Sequence, residues 1–200
     1  MCRPARGRGR GAPVDWLIVG LGNPGAEYKG SPHNVGFEVA ERLNQRWGLG
    51  KPRARYRGLI SEGRTGPGGP RVAILMPQTY MNEAGKSVGP ARGELKVDLD
   101  HVLVIHDEID LPFGDIRPRL GGGLAGHNGL KSLKASLGSP DFRRVRIGVG
   151  RPPTTDPDRV AAYVLGKFRE SKADVEALVD AGADAAERVI EEAGAEAVEA

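Results

Sequence analysis

Apolar positions along the 200-residue chain alternate between two periods, and the breaks between them mark the elements. Leu17 to Val19 is a short apolar run that predicts a buried strand. A loop carrying Gly20, Gly22, Pro24, Gly25, Gly30 and Pro32 follows it. Val35, Val39, Leu43 and Trp47 then share one helical face, with Gly48 as a stop. Arg53 to Ser61 and Arg71 to Met76 predict a hairpin around the turn RTGPGGP, and Pro77 ends the second strand. The QTYMN loop leads into a predicted helix from about Asn82 to Gly93, with Asn82 as its N-cap. His101 to His106 is a β-branched apolar run, predicted as a central strand whose end delivers Asp107, Glu108 and Asp110. Ile116 to Leu120 predicts a basic-faced strand. A glycine-rich loop follows from Gly121 to Gly126, then a helix through about Leu137. Arg143 to Gly150 alternates charged and apolar residues, as an edge or half-exposed strand should. Asp156 to Phe168 reads as a short helix and return loop, and Ser171 to Ala193 as an acidic amphipathic helix. Strands separated by helices predict an α/β fold: a single-domain three-layer sandwich with a mixed central sheet flanked by helices.

A hydrophobic fraction of 39 % over this length is enough for one buried core. The expected organisation is a basic, disordered arm over residues 1 to 13, one folded domain from 14 to 193, and an acidic tail end from 194 to 200. The arm is open to RNA contact, to being a targeting remnant, or to being a plain loose terminus. It lacks the serines and amphipathy of a transit peptide. A single cysteine, Cys2, and the lack of an 18-residue apolar run point to a soluble protein of a reducing, cytoplasmic compartment, with no membrane partner. The net charge of +3 hides an asymmetry. Residues 170 to 200 hold ten acids and two bases, leaving a balance of +11 on the rest. A basic body suits a polyanionic partner, although scattered solubilising charge produces the same total.

Several motifs invite chemistry. Gly20, Gly22 and Gly25 fit the G-x-G-x-x-G spacing of dinucleotide sites, but Pro24, Gly30 and Pro32 keep a helix from starting at the third glycine. GKSVG, with Asp107 and His127 following, has the order of a serine hydrolase. Ser87, however, falls inside a predicted helix rather than at a sharp strand-to-helix turn. The four histidines and one cysteine show no paired metal-ligand spacing, so no metal and no cofactor are expected. His33 differs from the other histidines in its company. Asp107, at a central strand end, is placed to hold a neutral imidazole by one nitrogen and leave the other to take a proton from water. Asn23, Asn82 and Asn128 each stand at a loop-to-helix junction. Each is open to N-capping or an Asx-turn, and equally to holding a carbonyl, a water or an oxyanion without adding charge.

Taken together, LIVGLGNPGAEY, PHNVGF, MPQTYMNEAGKSV, HDEIDLPFG, LGGGLAGHNGLKSL, FRRVRIGVGRP and YVLGKF resemble bacterial-type peptidyl-tRNA hydrolase, in order from about Leu17 to Phe168. The resemblance implies a monomeric, metal-independent esterase that cuts the ester linking a peptide to tRNA. It implies His33 as catalytic base with Asp107 as its orienting partner. Asn23 and Asn82 would line the site, Asn128 would stand at its mouth, and Tyr28 and Met81 would shape the peptide groove. Arg119 and Arg146 stand where the family contacts the phosphate at the tRNA acceptor end. This chain departs from the pattern at Pro32, where arginine is frequent, at Leu124 and Ala125 in the glycine loop, and in both terminal extensions. An RNA-binding module that keeps the fold without the chemistry is the alternative outside the enzymes.

Overall fold

The structure is a computed structural model that describes residues 13–199, with side chains through residue 196. The basic arm expected over residues 1 to 13 thus lies outside the described residues except for Pro13, and most of the acidic tail end is likewise beyond the described side chains. A seven-stranded sheet runs in the order β2-β3-β4-β1-β5-β7-β6. Its strands are β1 (Trp16–Gly20), β2 (Arg53–Arg55), β3 (Gly58–Arg64), β4 (Arg71–Pro77), β5 (Val102–Glu108), β6 (Ile116–Leu120) and β7 (Arg143–Gly148). The middle is parallel: β1 pairs with β4 on one side and β5 on the other, and β7 continues beyond β5. Antiparallel strands close both edges, making the sheet mixed.

The parallel strands are buried on both faces, so they read as unbroken apolar runs. One face carries α1 (Val35–Arg46) and α5 (Lys172–Glu199), packed through Val35, Val39, Leu43, Leu178 and Val189 onto Ile18, Ile74 and Ile105. The other carries α2 (Gly85–Leu95) and α3 (Asn128–Leu137), whose Val88, Leu130 and Leu133 cover Val19, Leu75 and Val104. α4 (Pro157–Leu165) lies near the C-terminal ends of the parallel strands. From β1 the chain passes to β4, then crosses through α2 to β5 on β1's opposite side. The crevice at the carboxyl end of β1 is therefore the topological switch point of the sheet, where open α/β sheets take their ligands.

Three local readings are corrected. The first hairpin strand is two strands, because Tyr56 and Arg57 adopt positive φ angles of 53° and 52° and form a tight turn between β2 and β3. β7 is not an edge strand: β6 returns antiparallel beside it and takes the edge. Asn82 caps no α-helix. It lies within a 3-10 turn, Met81–Glu83, and α2 starts after Ala84 without a side-chain cap. The acidic helix is occupied as well. Asp180, Asp184, Glu176 and Glu187 pair with Arg42 and Arg46 of α1, on the face away from α3.

Candidate active site

His33 arrives at the crevice because the chain after β1 cannot run straight into a helix. Gly25 and Gly30 turn it, Ser31 and Pro32 open a 3-10 turn, Pro32–Asn34, and α1 follows at Val35. The start of α1 sits directly on the ends of β1 and β5. A Cβ on Gly36 would come within 2.4 Å of the Ile105 carbonyl oxygen and 2.5 Å of that of Leu21, so only glycine allows this approach. The approach puts His33 Nδ1 at 2.9 and 3.0 Å from the two carboxylate oxygens of Asp107 at the end of β5. The sequence-based pairing is therefore present. His33 keeps 14 % of its side chain exposed and Asp107 only 3 %.

Asp107 also receives a second imidazole that the sequence reading left out of the site. His127 Nε2 lies 2.9 Å from its Oδ1. His127 Nδ1 accepts the backbone N–H of Gly129 at 3.1 Å and of Leu130 at 3.4 Å, which makes this ring, not Asn128, the cap of α3. Those backbone donors fix the tautomer: the proton of neutral His127 sits on Nε2 and is donated to Asp107. His106, buried behind the pair, donates from Nδ1 to the Asp107 carbonyl at 2.7 Å, while its Nε2 finds no partner. The electrostatics follow from this crowding. Burial opposes charge on His33, but the Asp107 charge and hydrogen bond outweigh it, so His33 titrates above its ordinary 6.5. Burial would raise the Asp107 carboxyl, yet His33 and His127 hold it well below the usual carboxylate range. Burial, then the neighbouring His127, pushes His106 down to about 3.

The asparagines divide by role. Asn34, given no site role by the sequence, clamps Asn23: its Oδ1 accepts the Asn23 N–H at 2.8 Å and its Nδ2 donates to the Asn23 carbonyl at 3.0 Å. Asn23 Oδ1 accepts the Met81 N–H at 2.7 Å. Because that partner can only donate, the Asn23 amide is oriented, and its Nδ2 is the donor left for the cleft. Asn23, His33, Met81, Asn82, Asp107, His127 and Asn128 all line one cleft of about 680 Å³, walled on its far side by Val160 and Val164 of α4 and rimmed by the exposed Tyr80. Tyr28 is not brought there. It sits half-buried on the 3-10 turn Ala26–Tyr28 and does not line the cleft. A second groove of about 740 Å³ lies on the other side of Asn23, and of the expected site residues only Asn23 lines it. Ser87, the nucleophile of the serine-hydrolase alternative, is wholly buried inside α2 and lines neither space.

Arg119 on β6 and Arg146 on β7 do not line the cleft either. With Arg117 and Arg144 they point to the α3 face of the sheet, since register partners share a face: Arg119 opposes Arg144 and Arg117 opposes Arg146. Arg144 is the buried member. Burial first, then Arg119 and Arg146, push its guanidinium below its ordinary range.

His33, Asp107 and His127 present nitrogen and oxygen atoms within 4.8 Å of one another, a grouping able to hold a metal ion. In the structure His33 Nδ1 and His127 Nε2 are both hydrogen-bonded to the Asp107 carboxylate, an arrangement that a general base can use as well. No helix among the described residues is long and apolar enough to cross a membrane. Fold and site together define an α/β protein with an imidazole–carboxylate pair at the switch point of a mixed sheet. Residues 17–200 match the model of the family described as peptidyl-tRNA hydrolase. The peptidyl-tRNA hydrolase of Parvibaculum lavamentivorans is 49 % identical over 172 residues, 85 % of this chain and 82 % of that protein. That of Pseudarthrobacter chlorophenolicus is 45 % identical over 178 residues, covering 88 % and 90 %. The crystal structure of peptidyl-tRNA hydrolase from Acinetobacter baumannii superposes with a TM-score of 0.75 at 37 % identity, covering 87 % of this chain and 86 % of that one. The chain belongs to the peptidyl-tRNA hydrolase family and is a hydrolase of that class.

Proposed function

We propose that this enzyme hydrolyses the ester between peptide and tRNA in peptidyl-tRNA, with water activated by the His33–Asp107 pair. The observation that carries the mechanism is the 2.9 Å contact between His33 Nδ1 and the buried Asp107 carboxylate. It spends the Nδ1 proton on the carboxylate and leaves Nε2 with a lone pair in the cleft. Water held there loses its proton to Nε2 as it attacks the ester carbonyl, and the imidazolium then returns that proton to the leaving ribose oxygen. Charge that develops on the carbonyl oxygen meets neutral donors, the Asn23 Nδ2 already oriented by Met81 and the amides of Asn82 and Asn128 at the rim. Met81 shapes the floor where the peptide end lies. Arg119 and Arg146 take the phosphate near the acceptor end of the tRNA, on the basic face beside the glycine loop. We assign the chain one catalytic domain over residues 14 to 193 working as a cytoplasmic monomer, with the basic arm before it and the acidic tail end after it.

The test is release of peptide from peptidyl-tRNA in the presence of a chelator. Undiminished turnover is expected of the unaltered protein, and His33→Ala should lose about 10²- to 10⁴-fold in kcat with tRNA binding retained. Full activity in that variant would refute the base. Binding of tRNA without cleavage by the unaltered protein would favour the RNA-binding alternative.

A further inference from the structure

The reaction proposed above draws on the end of the glycine loop only through Asn128, while His127 beside it is bonded to Asp107. Yet the loop itself has little to hold it. Residues 121 to 126 include four glycines, and Gly121, Gly122, Ala125 and Gly126 take φ angles of 62°, 92°, 47° and 74°. For Ala125 that is a conformation L side chains seldom adopt without outside support. Beyond the Gly121 N–H, which donates to the Phe142 carbonyl at 3.1 Å, and Leu124, which packs against the core, the carbonyls of the loop's first half converge on one side chain. Arg144 Nη1 donates to the Gly123 carbonyl at 2.8 Å, and Nη2 donates to the carbonyls of Gly122, at 2.6 Å, and Gly121. Arg144 is 1 % exposed, its guanidinium carbon lies over the Phe142 ring 5.5 Å from the centroid, and it pairs with no carboxylate among the described residues. Three successive carbonyls converging on one planar fork is a geometry that lysine or glutamine cannot reproduce.

We propose that Arg144 is a positioning residue for the hydrolysis. By clasping the carbonyls of Gly121, Gly122 and Gly123 it sets the exit of the loop, so that His127 keeps one nitrogen on α3 and the other on Asp107. The charge of Arg144 is buried at a cost and is hydrogen-bonded only to loop carbonyls, with no carboxylate in contact, so its return lies in where the loop is held. The route is short. Arg144 fixes residues 121 to 123, the His127 N–H closes onto the Leu124 carbonyl at 2.9 Å, and His127 Nε2 reaches Asp107 at 2.9 Å. Charged neighbours of Arg144 are Arg119, Arg146 and Glu108, and those of Asp107 are His33, His127 and His106. The inference rests on the hydrolase reading, because its kinetic consequence passes through Asp107 to His33.

The experiment compares Arg144→Lys and Arg144→Met in the full chain. Imidazole ¹⁵N spectra should show one His127 tautomer, protonated at Nε2, in the unaltered protein and an averaged, broadened signal in both variants. With His127 withdrawn, the carboxylate serves His33 alone, so the acidic limb of the pH–rate profile should move upward. Turnover should fall about 10- to 100-fold for Arg144→Met and at least threefold for Arg144→Lys, as expected when a reacting group loses its alignment. Should Arg144→Met fail to fold, Arg144→Lys carries the same three readouts. A lowered Tm with unchanged kcat, limb and His127 spectrum would overturn the proposal and leave Arg144 merely structural. The ¹⁵N result is independent of catalysis. If the unaltered protein cleaved no peptidyl-tRNA, the hydrolase reading would fail while the clasp could still be judged.

Discussion

Replacing Asp107 by asparagine keeps its shape and removes its charge, which makes it the sharpest probe of the pair. In the native site Oδ1 lies 2.9 Å from both His33 Nδ1 and His127 Nε2, and Oδ2 lies 3.0 Å from His33 Nδ1. His127 must donate, because its other nitrogen accepts from α3. The asparagine oxygen therefore stays at the Oδ1 position, and its NH₂ falls where Oδ2 was, pointing a donor at His33 Nδ1. His33 answers by moving its proton to Nε2, which is the nitrogen the reaction needs free. Restoring the active tautomer costs the new bond, about 1 kcal/mol, and leaves a buried donor unpaired, about 1–3 kcal/mol. A total near 2.7 kcal/mol corresponds to about 10²-fold in kcat. The same mutation removes what raises His33 and leaves burial, which lowers it. The acidic limb of kcat against pH should thus cross from above 6.5 to below it. Steady-state cleavage of peptidyl-tRNA between pH 5 and 9 measures both quantities. A variant within threefold of the unaltered kcat, or one whose limb rises, would refute the tautomer argument.

Arg119→Ala and Arg146→Ala should each weaken tRNA binding and reduce the slope of log K against log salt by about 1, measured by titration at several salt concentrations. An unchanged slope would place the phosphate elsewhere. His106 titrates at about 3 when folded, against an ordinary 6.5, so the unfolded chain alone takes up its proton in that window. Stability that is complete above 6.5 is therefore lost on acidification, at about 1.4 kcal/mol per pH step. His33, whose folded pKa is raised, adds stability that is constant below 6.5 and is lost only as pH rises through its folded value. Urea unfolding of His106→Gln should show a flatter decline between pH 6.5 and 4.5, and an identical decline would count against the buried neutral ring. Ser87→Ala should leave kcat unaltered, and a fluorophosphonate probe should leave the protein unlabelled. A loss of activity there would revive the serine alternative.

The strands and the His33–Asp107 pair were legible in the sequence because each rests on local pattern. An apolar run ends at an acid, and a Gly/Pro loop ends at a histidine. What escaped depends on contacts between distant segments. Asn34 holds Asn23 from eleven residues away with two hydrogen bonds, and neither its type nor its spacing distinguishes it from a surface asparagine. His127 precedes the asparagine that conventional capping preference would choose, yet its ring nitrogen does the capping and thereby faces Asp107. A signal did exist, a histidine directly before a helix start and after a flexible loop, the same arrangement that drew attention to His33. The turn at Tyr56 and Arg57 carries no glycine, asparagine or aspartate to announce its positive φ angles. Alternation along β7 correctly predicted a polar face but not its cover, since the glycine loop that buries Arg144 has no apolar pattern of its own.

The charge asymmetry noted in the sequence acquires a direction in the fold. The acids of α5 meet Arg42 and Arg46 across the α1 face, where Asp180 and Glu187 each take part in the network and Glu187 also accepts the Trp47 indole N–H at 3.0 Å. Exposed ion pairs of this kind contribute little to stability, about 0–1 kcal/mol each. Their larger effect is on the field: the bases of α1 are neutralised on one side of the sheet, while on the opposite side Arg117 pairs with Asp115 and Arg119 and Arg146 have no ion pair among the described residues. A polyanion approaching such a molecule is steered to the α3 face, beside the loop that carries His127 and Asn128. The acids of α5 are engaged by Arg42 and Arg46 of α1 rather than by Arg119 and Arg146, so they leave the charge of that face, beside the cleft, unopposed by this network.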